Sequence, residues 1–290
     1  ADLVFFIGCR AGSTTTEHWR FPSPNTTIIH LDIDANTIGV NYKTHAPLLG
    51  DAKLTLEIIN ALLQKQSANR TKKVVDGKTL SLQSKKEKFA PFLQLAQSND
   101  SPIVPERIVH SLNRLLPKDA IICADPGTPC PYFSAYFLSY LPGRHFITNR
   151  AHGALGYAMS AAIGAAIGRP NLKSVAVMGD GSFGFTVGEL ETITRRKLPI
   201  LMIVISNSVY GWIKASQKSG YDKRYFSVDF ERTDHARVAA AYGIQSWRVD
   251  NPLQLDEVLK KAIESGAPAL VDVISQPLQD AAAPVSQWMG

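Results

Sequence analysis

Short apolar runs alternate along this chain with stretches whose apolar residues recur every three or four positions, the pattern of an α/β protein with a mainly parallel sheet. The apolar runs predict strands at 3–7, 27–33, 120–124, 174–178, 200–205 and 269–274. The periodic stretches predict helices at about 52–63, 153–167, 187–196, 234–242 and 252–265, and Pro105 and Glu106 open another that carries Ile108, Val109, Leu112 and Leu115. Strand and helix spacings of this kind are consistent with βαβ crossovers. Two blocks emerge, residues 1–65 and 102–290, joined by a polar linker over 66–101. The second block has the strands of a doubly wound sheet. The first has only two or three, too few for the complete Rossmann-like sheet it resembles locally, so its first part is expected to lie outside this chain.

Composition changes this picture little. At 290 residues and 45% hydrophobic content the chain can fill about two domain cores. The longest small-and-apolar stretch, Gly153 to Gly168, is interrupted by Tyr157 and Ser160 and is shorter than the roughly 20 residues of a bilayer crossing, so no membrane association is expected. The start has an acid at Asp2 and no basic region of a signal peptide. Cys9, Cys123 and Cys130 are odd in number and show no C-x-x-C spacing, which argues against disulfides or structural zinc and for a reducing, cytoplasmic setting. Of the net charge of +6, much sits between Lys65 and Lys88, including Arg70, Lys72, Lys73, Lys78, Lys85 and Lys86. No aromatic residues interleave those charges, so a solvated segment is expected there rather than a nucleic-acid site.

The chemistry-bearing pattern begins where the strand 174–178 ends. Gly179-Asp180-Gly181-Ser182 places an acid at the carboxyl edge of the sheet, where open α/β folds bind ligands, and its glycines let the backbone approach an anion. A carboxylate alone repels a diphosphate, so a diphosphate bound there implies a bridging hard cation such as Mg²⁺. About 27 residues on, one helix and one strand later, Ser206-Asn207-Ser208-Val209-Tyr210-Gly211 returns to the same edge and brings the Asn207 amide beside Asp180. A Gly-Asp-Gly by itself is commonly a turn. Paired with an asparagine across a strand, helix and strand it is specific.

Gly179-Asp180-Gly181-Ser182-Phe183 through Asn207 resembles the fingerprint of the thiamine diphosphate (ThDP) enzymes that include acetolactate synthase and benzoylformate decarboxylase. The resemblance implies a Mg²⁺ held by Asp180, the Asn207 side-chain oxygen and the Val209 carbonyl, with Gly181 and Ser182 donating to the diphosphate and Gly179, Tyr210 and Gly211 completing the cofactor loops. The family commonly has two asparagines where this chain has Ser206-Asn207; the expected ligand is the second, so the change is read as harmless. Asp125-Pro126-Gly127-Thr128-Pro129-Cys130 follows the strand 120–124 at the same edge, and relatives place polar side chains after this glycine, which makes Gly127 and Thr128 candidate phosphate contacts. Arg150-Ala151-His152-Gly153-Ala154-Leu155-Gly156-Tyr157 resembles the family's glycine-rich turn. There Gly153 borders the cofactor and Leu155 is the candidate apolar prop that holds its two rings in a bent shape.

The same resemblance implies decarboxylation of a 2-oxo acid, followed by protonation or by carboligation. It also implies a pyrimidine-binding domain or subunit carrying the activating glutamate, absent from this chain, and a homo-oligomer, dimer or tetramer. Gly8-Cys9-Arg10, Leu31-Asp32-Ile33-Asp34 and Gly50-Asp51-Ala52 resemble the family's middle domain, which in some relatives holds FAD; contact of FAD with Arg10 and Asp32 is the lesser expectation. His152 is a candidate proton-transfer residue, ahead of His145 and His235. Tyr210 and Trp212 are candidates for a substrate pocket or for core packing. Glu189 and Cys130 are read as structural, and Pro284 to Trp288 as a lid or a docked terminus. The alternative from another class is a non-catalytic nucleotide- or FAD-binding regulatory subunit. A simple dinucleotide dehydrogenase is excluded by the lack of Gly-x-Gly-x-x-Gly after the first strand.

Overall fold

A computed structural model of the chain describes residues 1–13, 15–66, 77–149, 152–278 and 280–281. Arg70, Lys72, Lys73, Arg150, Ala151 and the segment Pro284 to Trp288 lie outside the described residues. The chain divides into two compact units, Ala1–Lys78 and Thr79–Gly290.

In the first unit β1 (Leu3–Ile7), β2 (Thr27–Asp32) and β3 (Ala46–Leu49) form a parallel sheet in that order, followed by α1 (Ala52–Gln66). Ile28 and Leu31 are buried in it. Helix α1 buries none of its residues, and its Leu54, Ile58 and Leu62 are each more than half exposed. Arg10 is exposed and Asp32 half-buried.

The second unit is built on six parallel strands. In chain order its elements are α2 (Gly77–Leu95), α3 (Pro105–Leu115), β4 (Ile121–Ala124), α4 (Pro129–Tyr136), β5 (Phe146–Ile147), α5 (Tyr157–Gly168), β6 (Ser174–Gly179), α6 (Asp180–Thr186), α7 (Glu189–Arg195), β7 (Leu201–Ser206), α8 (Gly211–Gly220), α9 (His235–Ala241), β8 (Gln245–Val249), α10 (Leu255–Glu264) and β9 (Ala269–Ile274). The strand order is β5-β4-β6-β7-β9-β8, with every neighbouring pair parallel. Side chains alternate between the two faces with period two. Ile122, Ala124, Val175, Val177, Leu201, Ile203, Ile205, Val271 and Val273 pack with α3 and α10 on one face. Ile121, Cys123, Ala176, Met178, Met202, Val204 and Leu270 pack with α5, α7 and α9 on the other. This is the doubly wound α/β architecture the apolar runs predict.

Several elements differ from the sequence expectation, each for an identifiable reason. The helix expected from 153 starts at Tyr157 because Gly153 and Gly156 take φ of 67° and 84°, outside the helical region. Asp180 is the first residue of a helix rather than part of a turn. Strand β8 reads as polar because it lies at the sheet edge and buries only Val249 fully, and β5 is two residues long. The polar stretch read as a linker contains α2, whose last turns are anchored by Phe92, 2% exposed and stacked on Tyr136 at 4.3 Å. Among the described residues no helix is long and apolar enough to cross a membrane.

The strand order locates the site. From β4 the chain moves outward to β5 on one side, whereas from β6 it moves to β7 on the other, so the winding reverses between β4 and β6. The crossovers that follow these two neighbours diverge and leave a crevice at their carboxyl ends. Asp125-Pro126-Gly127-Thr128 and Asp180-Gly181-Ser182 border that crevice.

Candidate functional site

A cavity of about 270 Å³ opens at this switch point, lined by Pro126, Gly127, Thr128, Gly153, Leu155, Gly181, Ser182, Val209, Tyr210, Gly211, Trp212 and Ile213. Two of the lining glycines, Gly181 and Gly211, leave no room for a side chain. A Cβ on Gly181 would lie 2.7 Å from Tyr210 Cε1, and one on Gly211 3.0 Å from both Thr128 Oγ1 and Leu278 Cβ. Gly127 turns the chain at φ 116°, and Leu155 Cδ2 lies 3.6 Å from where its Cβ would be. Among the described residues the lining has no cationic side chain. The described lining offers a diphosphate amide and hydroxyl donors, and a hard cation beside them would offset its charge.

Asp180, 6% exposed, joins the two loops. Its Oδ1 accepts from the Gly181 amide at 2.9 Å, and its Oδ2 from the Asn207 and Ser208 amides at 2.8 and 2.6 Å. The crossover thus brings Asn207 beside Asp180, as its spacing predicts. Burial pushes the Asp180 carboxyl above its ordinary pKa although these amides pull it down; a bound cation favours the ionised form. Asn207 Nδ2 donates to Thr128 Oγ1 at 3.4 Å, while its Oδ1 is buried without a hydrogen-bond partner. Such an acceptor is costly unless a cation or donor fills the place in front of it. Beside it, the bridge between Val209 and Asp229 uses Tyr210 N to Val228 O and Phe230 N to Ser208 O, so it does not use the Val209 carbonyl.

These oxygens fit a hard divalent cation. Among the described residues no group of three His, Cys, Asp or Glu could hold a metal, so a cation here would be held by the Asp180 carboxylate together with amide and carbonyl oxygens. Of the candidate residues, Gly127, Thr128, Gly153, Leu155, Gly181, Ser182, Val209, Tyr210 and Gly211 line the cavity. Asp180 and Asn207 meet behind it, and Gly179, the last residue of β6, is outside the lining. His152 is exposed and lines neither this cavity nor the second one described below. Trp212 joins the wall, and Ile213 does so without any sequence signal.

Asp125 is a buried contributor the motif reading passes over, although it has the same signal as Asp180, an acid directly after an apolar strand. It is fully buried and accepts the Ala158 amide at 3.0 Å at the start of α5. Burial drives its carboxyl up to about 6, against the pull of the Ala158, Tyr157 and Gly156 amides and the Ser182 hydroxyl. It ties the turn carrying Leu155 to the end of β4. A second cavity, about 730 Å³, lies on the other side of Asp180 and Gly181 and is walled by Phe183, Phe185, Tyr210, Phe230 and His235 among others.

A doubly wound parallel domain with a glycine-lined crevice and convergent oxygen donors at its switch point defines a class of diphosphate-binding α/β proteins. Residues 125–273 match the family described as thiamine pyrophosphate enzyme, C-terminal TPP binding domain, and residues 1–59 match that family's central domain. The chain belongs to the thiamine pyrophosphate enzymes. It is 32% identical over 288 residues to a probable acetolactate synthase large subunit of Methanococcus aeolicus, covering 96% of this chain and 47% of that protein. The corresponding protein of Methanocaldococcus jannaschii is 30% identical over 289 residues, with the same coverage of 96% and 47%. Acetolactate synthase isozyme 3 large subunit of Escherichia coli is 29% identical over 265 residues, covering 91% of this chain and 46% of its own length. The chain spans about half the length of the curated relatives it matches.

Proposed function

We propose that this chain is the diphosphate- and Mg²⁺-binding half of an acetolactate synthase-like enzyme that breaks or forms the carbon–carbon bond beside the carbonyl of a 2-oxo acid. The observation that carries the reading is the Asn207 amide, held by Thr128 with its buried Oδ1 unpartnered, next to the Asp180 carboxylate at the switch point. Asp180, Asn207 and the Val209 carbonyl hold the metal. Gly181 and Ser182 donate to the diphosphate, and Gly127, Thr128, Gly179, Tyr210 and Gly211 shape its cradle. ThDP, when bound, supplies the nucleophilic carbon and the electron sink of the reaction.

The chain's own residues bind and orient. Leu155, which packs over Gly127 in the cavity lining, would serve as the apolar prop for the bound cofactor. The apolar walls of Tyr210, Trp212 and Ile213 exclude water from the reacting end. His152, exposed and outside the cavity lining, is the candidate for moving protons. The activating glutamate comes from a pyrimidine-binding domain or subunit, and the complete enzyme is a homo-oligomer. On this reading residues 1–65 belong to the middle domain, 66–101 connect, and 102–290 form the cofactor domain; the setting is cytoplasmic. The identity of the relatives supports the acetolactate synthase-like reading over a regulatory subunit.

Calorimetric titration of ThDP into the chain, with Mg²⁺ and again with EDTA, tests the site. Binding is expected only with Mg²⁺ and is expected to be lost in Asp180→Ala. Equal affinity in Asp180→Ala, or with EDTA, refutes the metal assignment.

A further inference from the structure

Behind the metal-binding loops lies a polar cluster that the cofactor reading leaves unexplained. Ser206, His235 and Asp272 are 3%, 6% and 0% exposed and come from three elements, the end of β7, the start of α9 and the middle of β9. Ser206 Oγ donates to Asp272 Oδ1, His235 Nδ1 lies 3.0 Å from Ser206 Oγ, and the His235 backbone amide donates to Asp272 Oδ2 at 3.1 Å. Both carboxylate oxygens of a fully buried aspartate are thereby occupied. With the Ser206 hydroxyl donating to Asp272, a Ser206 lone pair is left to accept from His235 Nδ1–H, and that nitrogen also lies 3.4 Å from Asp272 Oδ1.

The cluster touches both halves of the candidate metal site. Ser206 directly precedes Asn207, whose amide together with that of Ser208 holds Asp180 Oδ2. On the other side, the His235 ring meets Phe183 edge-on at 5.2 Å and 81°; Phe183 follows Ser182 in the helix that Asp180 begins. His235 also shares the second cavity with Asp180 and Gly181. One imidazole is thus bonded to the loop carrying Asn207 and packed on the helix carrying Asp180. A ligand pair that must converge on one ion needs such support, because errors of a few tenths of an ångström in donor position weaken metal binding.

We propose that Ser206, His235 and Asp272 form a positioning network that holds the Asp180 and Asn207 ligands in register for Mg²⁺. The proposal rests on the Mg²⁺–ThDP assignment of this site. It is a positioning role, since none of the three side chains contacts the candidate ligand oxygens.

The test is a double-mutant cycle in the full-length protein, with Mg²⁺ titrated against a fixed ThDP concentration and the thermal midpoint of each variant recorded in EDTA. Ser206→Ala and His235→Gln are each expected to weaken Mg²⁺ about tenfold, the scale of one lost buried hydrogen bond. The double variant is expected to be no more than about threefold worse than either single, because both break the same chain of bonds. Ser174→Ala serves as the structural control: it removes a buried hydrogen bond to Ala162 O, away from these loops, and is expected to lower the midpoint while leaving Mg²⁺ affinity unchanged. Wild-type Mg²⁺ affinity in Ser206→Ala overturns the network, and so do losses that multiply in the double variant. If wild type itself binds ThDP without Mg²⁺, or not at all, the parent assignment fails and the network's function fails with it. Metal-dependent binding in wild type with unchanged variants sinks the network alone.

Discussion

Asp125 offers a test of the structure in which the sign and the size both follow from burial. Its carboxyl titrates at about 6 in the folded chain against 3.8 for an ordinary aspartate, because it is fully withdrawn from water. Between those values the native state holds a proton that the unfolded state has released, so this group's contribution to stability falls as pH rises from about 4 to about 6 and is flat above. The whole gap corresponds to about 3 kcal/mol, and the part crossed between about pH 4.5 and 7.5 to about 2 kcal/mol. Asp125→Asn keeps an oxygen for the Ala158 amide and removes the charge. Its stability relative to wild type should therefore rise by about 2 kcal/mol over that interval, whatever constant offset the amide introduces. Guanidinium unfolding followed by the fluorescence of Trp212 and Trp247, both in the second unit, measures this at each pH. Taking the difference between two otherwise identical chains cancels titrations that do not couple to Asp125. A difference that stays flat within about 0.5 kcal/mol, or that slopes the other way, refutes the claim that this carboxyl is desolvated and only partly compensated.

Two further outcomes are expected. Gly181→Ala places a methyl 2.7 Å from Tyr210 Cε1 and forces that ring from its contact with Phe230, at a cost of about 1–3 kcal/mol, so Mg²⁺-dependent ThDP affinity should fall roughly tenfold to a hundredfold; Gly184→Ala, which meets nothing within 4 Å, should not change it. Burial and the neighbouring Asp125 push the Cys123 thiol up to about 12, so a thiol reagent at pH 8 should modify Cys123 only after denaturation, and mass-mapped labelling of the native chain at Cys123 as fast as at the half-buried Cys9 would count against its placement.

The position of the site follows from strand order. Asp125 and Asp180 are 55 residues apart, yet β4 and β6 are neighbours, with Cys123 opposite Ala176 and Ala124 opposite Val177. Their carboxyl ends flank the reversal of winding, which gathers the turn at Gly127, the helix start at Asp180 and the loop at Asn207 around one crevice. Thr128 lines the cavity, and its hydroxyl also accepts from Asn207 Nδ2 at 3.4 Å, a contact its sequence position does not announce.

By itself the sequence determined the strands that are buried on both faces, since a run such as Leu201–Ser206 can only be accommodated inside a sheet covered by helices. It also indicated that Asp180 and Asn207 lie at the same sheet edge, because a parallel crossover returns the chain to the carboxyl ends, although the structure has two short helices, α6 and α7, where the pattern predicts one. Elements whose stability comes from neighbours were not legible. Strand β8 is polar because it forms an edge, β5 is too short to carry a period, and α2 is anchored by two aromatic residues at its far end. Tertiary structure alone decided which polar groups lost water. Burial raised Asp125, left Asn207 Oδ1 without a partner, and brought Ser206, His235 and Asp272 together from positions up to 66 residues apart. A one-dimensional pattern records which residues are apolar, but the desolvation that gives a carboxyl or an amide its chemistry depends on what packs against it from elsewhere in the chain.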